Sequence, residues 1–171
     1  MNVFDFAIKM ELDGKVFYEK LAKETNIAGL QTIFLRLAAD EQKHYEIFLA
    51  LKGQAQTLTM EDTTALEQAK NVFEKLLAQK ESLGPVQGDL EAYRYAMQVE
   101  ADSFRLYEDA AEKESNPDVK SLLLRIAGEE HKHFDILENI HDFVNAPNQY
   151  LAWGEFSNID EFRQFGRDVD H

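Results

Sequence analysis

The chain repeats itself. Shifted by 89 residues, the stretch from Met10 to Phe48 lies over the stretch from Val99 to Leu137 without a gap. Identical pairs include Glu11/Glu100, Asp13/Asp102, Tyr18/Tyr107, Glu19/Glu108, Arg36/Arg125, Glu41/Glu130, Lys43/Lys132 and His44/His133. A fold for this chain must therefore use one structural unit twice. In the first copy, Ala7, Ile8, Tyr18, Leu21 and Ala22 recur at helical spacing, and so do Phe34, Leu37, Ala38, Tyr45 and Phe48. Asn26 to Gly29 breaks the pattern between them. The unit is thus a helical hairpin, and two hairpins make a four-helix bundle.

The periodicity predicts helices over about Val3–Thr25, Leu30–Lys52, Asp89–Glu114 and Pro117–Val144, with Gly53 as a stop and Pro117 at a first helical position. A further amphipathic helix is expected from about Thr64 to Lys80 within the connection. No strand alternation occurs, so the fold class is all-α. The chain reads as one domain over 1–171: repeat one at about 5–52, a connection at 53–88, repeat two at about 89–144 and a tail at 145–171. The connection is too long for a tight turn; it crosses the bundle or passes a hairpin to a partner chain. The tail is rich in aromatics (Tyr150, Trp153, Phe156, Phe162, Phe165) and is expected to pack on the bundle or on a partner, with a homodimer as the assembly.

Composition excludes several classes of function. The net charge of -14 argues against nucleic acid as a partner, because phosphate binding needs a basic face. The absence of cysteine removes disulfides, thiol catalysis, iron–sulfur clusters and Cys-ligated zinc. No apolar run spans a bilayer and the N-terminus lacks a signal-peptide layout, so no membrane association and a cytoplasmic location are expected.

Each repeat carries a Glu, then 29 residues, then Glu-x-x-His: Glu11 with Glu41 and His44, and Glu100 with Glu130 and His133. Helix geometry explains the interval. With a turn near Asn26, Glu11 and Glu41 each lie about 15 residues from it, roughly 22 Å along the hairpin and at one level. The histidines follow one turn later on the same face. All six side chains continue the apolar stripes and so point into the bundle. Four buried carboxylates without a counter-charge would be prohibitive. Two divalent cations bring a matching charge of opposite sign, and carboxylates with one imidazole per metal suit iron or manganese. A third Glu-x-x-His, Glu138 to His141, has Glu108 upstream, but in a hairpin turning near Ser115 those glutamates lie about 24 Å apart. It is expected to be a solvated pair.

Tyr18 and Tyr107 lie two turns beyond Glu11 and Glu100 on nearly the same face. They are either ordinary core residues or hydroxyls that orient a ligand carboxylate or serve the reaction. His131 falls off the inward stripe and is expected to be exposed. Asp40 and Glu129, each directly before a ligand glutamate, are expected to face sideways or outward, and Asp13 and Asp102 to point away.

In these motifs the chain resembles the rubrerythrin branch of the ferritin-like superfamily, over the two hairpins at roughly 5–52 and 89–143. The resemblance implies a ferritin-like bundle holding two iron ions, with manganese or zinc as substitutes. Its ligands would be Glu11, Glu41, His44, Glu100, Glu130 and His133, with Glu41 and Glu130 bridging both ions. Rubrerythrins reduce hydrogen peroxide, and related members oxidise ferrous iron. Hydrogen peroxide or oxygen is thus the expected oxidant, and a di-iron peroxidase the expected activity. Two departures matter. A rubredoxin domain would need four cysteines, so electrons are expected from a separate electron-transfer protein. Ser103 stands where many rubrerythrins carry an additional Glu, leaving a symmetric set of four Glu and two His, as in a bacterioferritin-like centre. A ferroxidase is the alternative activity, and a metal-free helical interaction protein the alternative from a different class.

Overall fold

The computed structural model describes residues 3–53, 71 and 89–145. Four long helices account for nearly all of them: α1 (Val3–Glu24), α2 (Ala28–Lys52), α3 (Leu90–Lys113) and α4 (Pro117–Asn145). No strand occurs among the described residues. Apart from residue 71, which is helical, the expected helix at about 64–80 lies outside them, and so does the aromatic tail.

Local chemistry sets the helix ends. The Asp89 carboxylate accepts a hydrogen bond from the Ala92 N–H at 3.1 Å and caps α3. Asn116 does the same for α4, its Oδ1 accepting from the N–H groups of Asp118 at 2.9 Å and Val119 at 3.4 Å. Pro117 then takes the first helical position, where its missing N–H costs nothing. The first turn is shorter than the sequence suggested. Ala28 and Gly29 already belong to α2, which starts behind Ile27 without a side-chain cap. Gly53 ends α2 with φ -77°, an ordinary right-handed value, its N–H bonded to the Leu49 carbonyl.

Backbones approach most closely within each hairpin, α1 with α2 and α3 with α4. Across the hairpins, α1 faces α3 and α2 faces α4. Two apolar clusters fill the bundle. One gathers Leu21, Leu30, Phe34, Tyr93, Leu137 and Ile140, and the other Ala7, Phe48, Leu51, Ala111, Leu123 and Ile126. The first cluster joins the C-terminal part of α1 to the N-terminal part of α3, and the start of α2 to the end of α4. The facing helices therefore run antiparallel. Between the clusters, halfway along the bundle, lies a layer of buried polar side chains.

Candidate metal centre

That layer holds all six residues singled out by the repeat. Glu11, Glu41, His44, Glu100, Glu130 and His133 are each at most 4% exposed, although every one is polar. They form two overlapping groups of four: Glu11, Glu41, His44 and Glu130, and Glu41, Glu100, Glu130 and His133. In each group the candidate ligand atoms all lie within 4.8 Å of one another, and Glu41 and Glu130 belong to both. Each group thus offers three carboxylates and one imidazole, a set able to hold a divalent metal ion.

The contacts inside the layer are as short as those between ligands of one ion. His44 Nδ1 lies 2.9 Å from a Glu130 oxygen and 3.3 Å from a Glu11 oxygen. His133 Nδ1 lies 2.9 Å from a Glu41 oxygen and 3.4 Å from a Glu100 oxygen. Yet Glu11 Oε2, Glu41 Oε1, Glu130 Oε1 and both histidine Nδ1 atoms are buried without a hydrogen-bond partner. Two ligands each about 2.1 Å from one ion and at right angles to it sit roughly 3 Å apart. Orphaned lone pairs at such separations fit a metal, and a buried polar atom left unpaired is otherwise costly.

The opposite ring nitrogens explain how the imidazoles are aimed. His44 Nε2 lies 2.6 Å from Glu129 Oε2, and His133 Nε2 lies 3.0 Å from Asp40 Oδ2. A carboxylate that accepts a hydrogen bond from Nε2–H keeps that proton in place, so that Nδ1 can turn a lone pair to a metal. Of the two directions expected for Asp40 and Glu129, sideways holds and outward does not, since both are buried. At about 100° per residue, the position before an inward glutamate points sideways, and sideways in this bundle is the neighbouring helix. Asp40 on α2 reaches His133 on α4, and Glu129 on α4 reaches His44 on α2. Arg36 Nη2 at 3.6 Å from Asp40 and Lys43 Nζ at 3.4 Å from Glu129 offset their charge. A signal was available in the sequence: Asp40 and Glu129 are themselves repeat equivalents, 89 residues apart.

Tyr18 and Tyr107 are buried, and their hydroxyls cross between hairpins. Tyr18 donates to Glu100 Oε1 and Tyr107 to Glu11 Oε1. His131 also departs from expectation. It is half-buried, with Nδ1 3.5 Å from Asp135 and its ring edge-on to Phe104 at 6.0 Å, because α4 is covered on a broad face by its hairpin mate. Asp13 and Asp102 are exposed as expected. Glu138 and His141 join neither group of candidate ligands.

Without a metal the layer is a coupled acid cluster. Burial and the charges of Glu11 and Glu100 push Glu41 well above the usual carboxylate range. Burial and the neighbouring glutamates, Glu100 first, do the same to Glu130. Burial opposes ionisation of Glu11 as well, but its contacts with Glu41 and His44 hold it at about 2. Burial alone would keep His44 neutral, yet Glu11 and Glu129 raise it to about 10. His133 is raised well above its ordinary value against the same burial, by Glu100 and Asp40. Burial and adjacent carboxylates push both tyrosines far up, so their phenols stay protonated.

A family model described as Rubrerythrin matches residues 2–141. Comparisons with curated proteins and with solved structures return no match.

Proposed function

The chain belongs to the rubrerythrin family, and on that premise we propose that it reduces hydrogen peroxide at a centre of two iron ions, with electrons from a separate donor protein. The observation that carries this reading is the pair of four-residue groups sharing Glu41 and Glu130. Two ferrous ions, when bound, supply the two electrons that convert one peroxide and two protons into two waters.

The chain's own residues do the rest. Glu11 with His44, and Glu100 with His133, would each hold one ion, and Glu41 and Glu130 would serve both. Four carboxylates carry the charge that two divalent ions neutralise. Glu129 and Asp40 keep the two Nδ1 atoms aimed inward. Tyr18 and Tyr107 hold their hydroxyl protons against Glu100 and Glu11, beside the centre, where a reacting oxygen needs protons. The apolar clusters above and below close the centre to bulk water along the bundle axis. No cysteine is present to hold a thiolate-ligated iron, which supports a separate electron donor.

The symmetric set of four Glu and two His favours a second reading, oxidation of ferrous iron as a substrate. An anaerobic stopped-flow comparison separates the two. The peroxidase reading expects the ferrous protein to consume about one peroxide per two irons, much faster than it reacts with oxygen, and to cycle only with added reductant. Equal reactivity with both oxidants, or net uptake of ferric iron, supports the ferroxidase. Less than one iron per chain after anaerobic loading sinks both.

A further inference from the structure

A cavity of about 470 Å³ lies between α1 and α3. Its inner end is formed by Tyr18, Glu41 and Glu100, and its walls by Val16, Phe17, Tyr95 and Val99, with the exposed Asp13 and Lys20 also lining it. Val16 and Tyr95 are more than half exposed, so they mark its mouth. Phe17 and Tyr95 meet there edge to face at 5.5 Å. Gly14 and Ser103, repeat equivalents and both small, also line it and keep the inner end open. A Cβ added at Gly14 would stand 3.2 Å from Glu41 Oε2.

Two features of this cavity exceed what hydrogen peroxide requires. A molecule hardly larger than water, whose own share of liquid volume is about 30 Å³, needs no such room. The volume lies instead in the range of small-organic-molecule sites, roughly 300–1,000 Å³, which likewise combine apolar walls with a few convergent polar groups. The cavity is also one-sided. It touches Glu41 and Glu100, both in the group completed by His133, and neither Glu11 nor His44.

We propose that this cavity binds the apolar tail of an organic hydroperoxide, ROOH, and directs its peroxide head to the Glu100–His133 side of the centre. The inference rests on the peroxidase reading. In the reaction the O–O bond breaks, ROOH takes up two electrons and two protons, and ROH and water leave. The electrons come from the ferrous pair and are replaced by the same separate one-electron donor.

The test uses the full chain and two readouts. The first needs no turnover. In zinc-loaded protein carrying ¹³C-methyl methionine, cumyl alcohol, the inert product of cumene hydroperoxide, is titrated in. Met10 lines the cavity, so its methyl resonance shifts saturably at submillimolar alcohol, and Val16→Trp or the half-buried Val99→Phe abolishes the shift. No shift at millimolar alcohol overturns the proposal. The second readout is anaerobic oxidation of the ferrous protein. Cumene hydroperoxide reacts with a second-order rate constant within tenfold of that for hydrogen peroxide, and Val16→Trp lowers the ratio of the two constants tenfold or more. An unchanged ratio in both variants, or no reaction with cumene hydroperoxide where hydrogen peroxide reacts, overturns the cavity proposal and leaves the peroxidase reading standing. If neither peroxide reacts, the peroxidase reading fails, and the Met10 shift alone decides whether the cavity binds an apolar ligand.

Discussion

Six ligand candidates carry unequal weight. Glu41 and Glu130 belong to both metal groups, whereas Glu11 and Glu100 belong to one each. Glu41→Ala is therefore expected to reduce bound iron to well under one per chain, while Glu11→Ala retains about one. Iron analysis after anaerobic loading and desalting decides it; equal losses would remove the bridging role. The residues behind the histidines make a second case. Asp40→Asn and Glu129→Gln keep the shape but lose the charge that accepts from Nε2–H, so each is expected to weaken metal binding about 10–100-fold. A competition titration against a chelator measures this, and wild-type affinity in both variants would show that the carboxylates do not aim the rings. Tyr18→Phe removes one hydroxyl that a buried carboxylate accepts from. It is expected to leave two irons bound and to slow peroxide reduction at least several-fold.

At the scale of the helix, the ends and the stripe do different work. The caps are local: Asp89 and Asn116 satisfy N–H groups that the first turns of α3 and α4 leave open. Asn116→Ala is expected to cost about 1 kcal/mol of stability, read by thermal or urea denaturation, without loss of metal. The stripe is global. Phe34, fully buried and stacked on Tyr93 at 5.7 Å, joins the start of α2 to α3. Phe34→Ala leaves a cavity and is expected to cost roughly 3–5 kcal/mol, enough to make folding depend on bound metal. The repeat made the helices legible because each copy supplied a second reading of the same stripe. It misplaced the start of α2 by two residues, since Ala28 and Gly29 read as turn residues but are carried by the packing of the hairpin.

For the whole molecule the buried charges set the pH response. In the metal-free fold Glu41 and Glu130 bind protons that the unfolded chain releases above about pH 4.5, and His44 and His133 bind protons it releases above about 6.5. Burial and the Glu138 charge raise Asp135 to about 8, which acts in the same direction. This part of the stability is full below those unfolded values and is lost as pH rises above them, through about 8 for Asp135 and about 10 for His44. Glu11, held at about 2, acts oppositely and costs stability only as pH falls below about 4.5. The metal-free protein is thus expected to melt at progressively lower temperature from pH 6 to pH 9. Metal binding displaces the protons on Glu41, Glu130, His44 and His133, so the rise in Tm on adding ferrous iron is expected to grow over that range. Calorimetry of both forms at pH 6, 7.5 and 9 checks it; a metal-induced rise that shrinks with pH would contradict the protonated cluster.

Two kinds of information can be separated here. The repeat, the helical period and the spacing of Glu and Glu-x-x-His were enough to determine the hairpins, the level of the six residues along them and their inward phase. Each of these follows from rise and rotation per residue within one helix. What only the tertiary structure decided is which residue answers which across the bundle. Tyr18 answers Glu100, not Glu11, and Asp40 answers His133, not His44. The two hairpins run antiparallel about a shared centre, so each tyrosine–glutamate and each carboxylate–histidine contact is made by the other copy. One-dimensional periodicity holds phase along a helix but carries no record of its neighbour. The cavity beside Glu41 and Glu100 has the same origin: it is the space two facing helices leave between them, and no single stretch of sequence contains it.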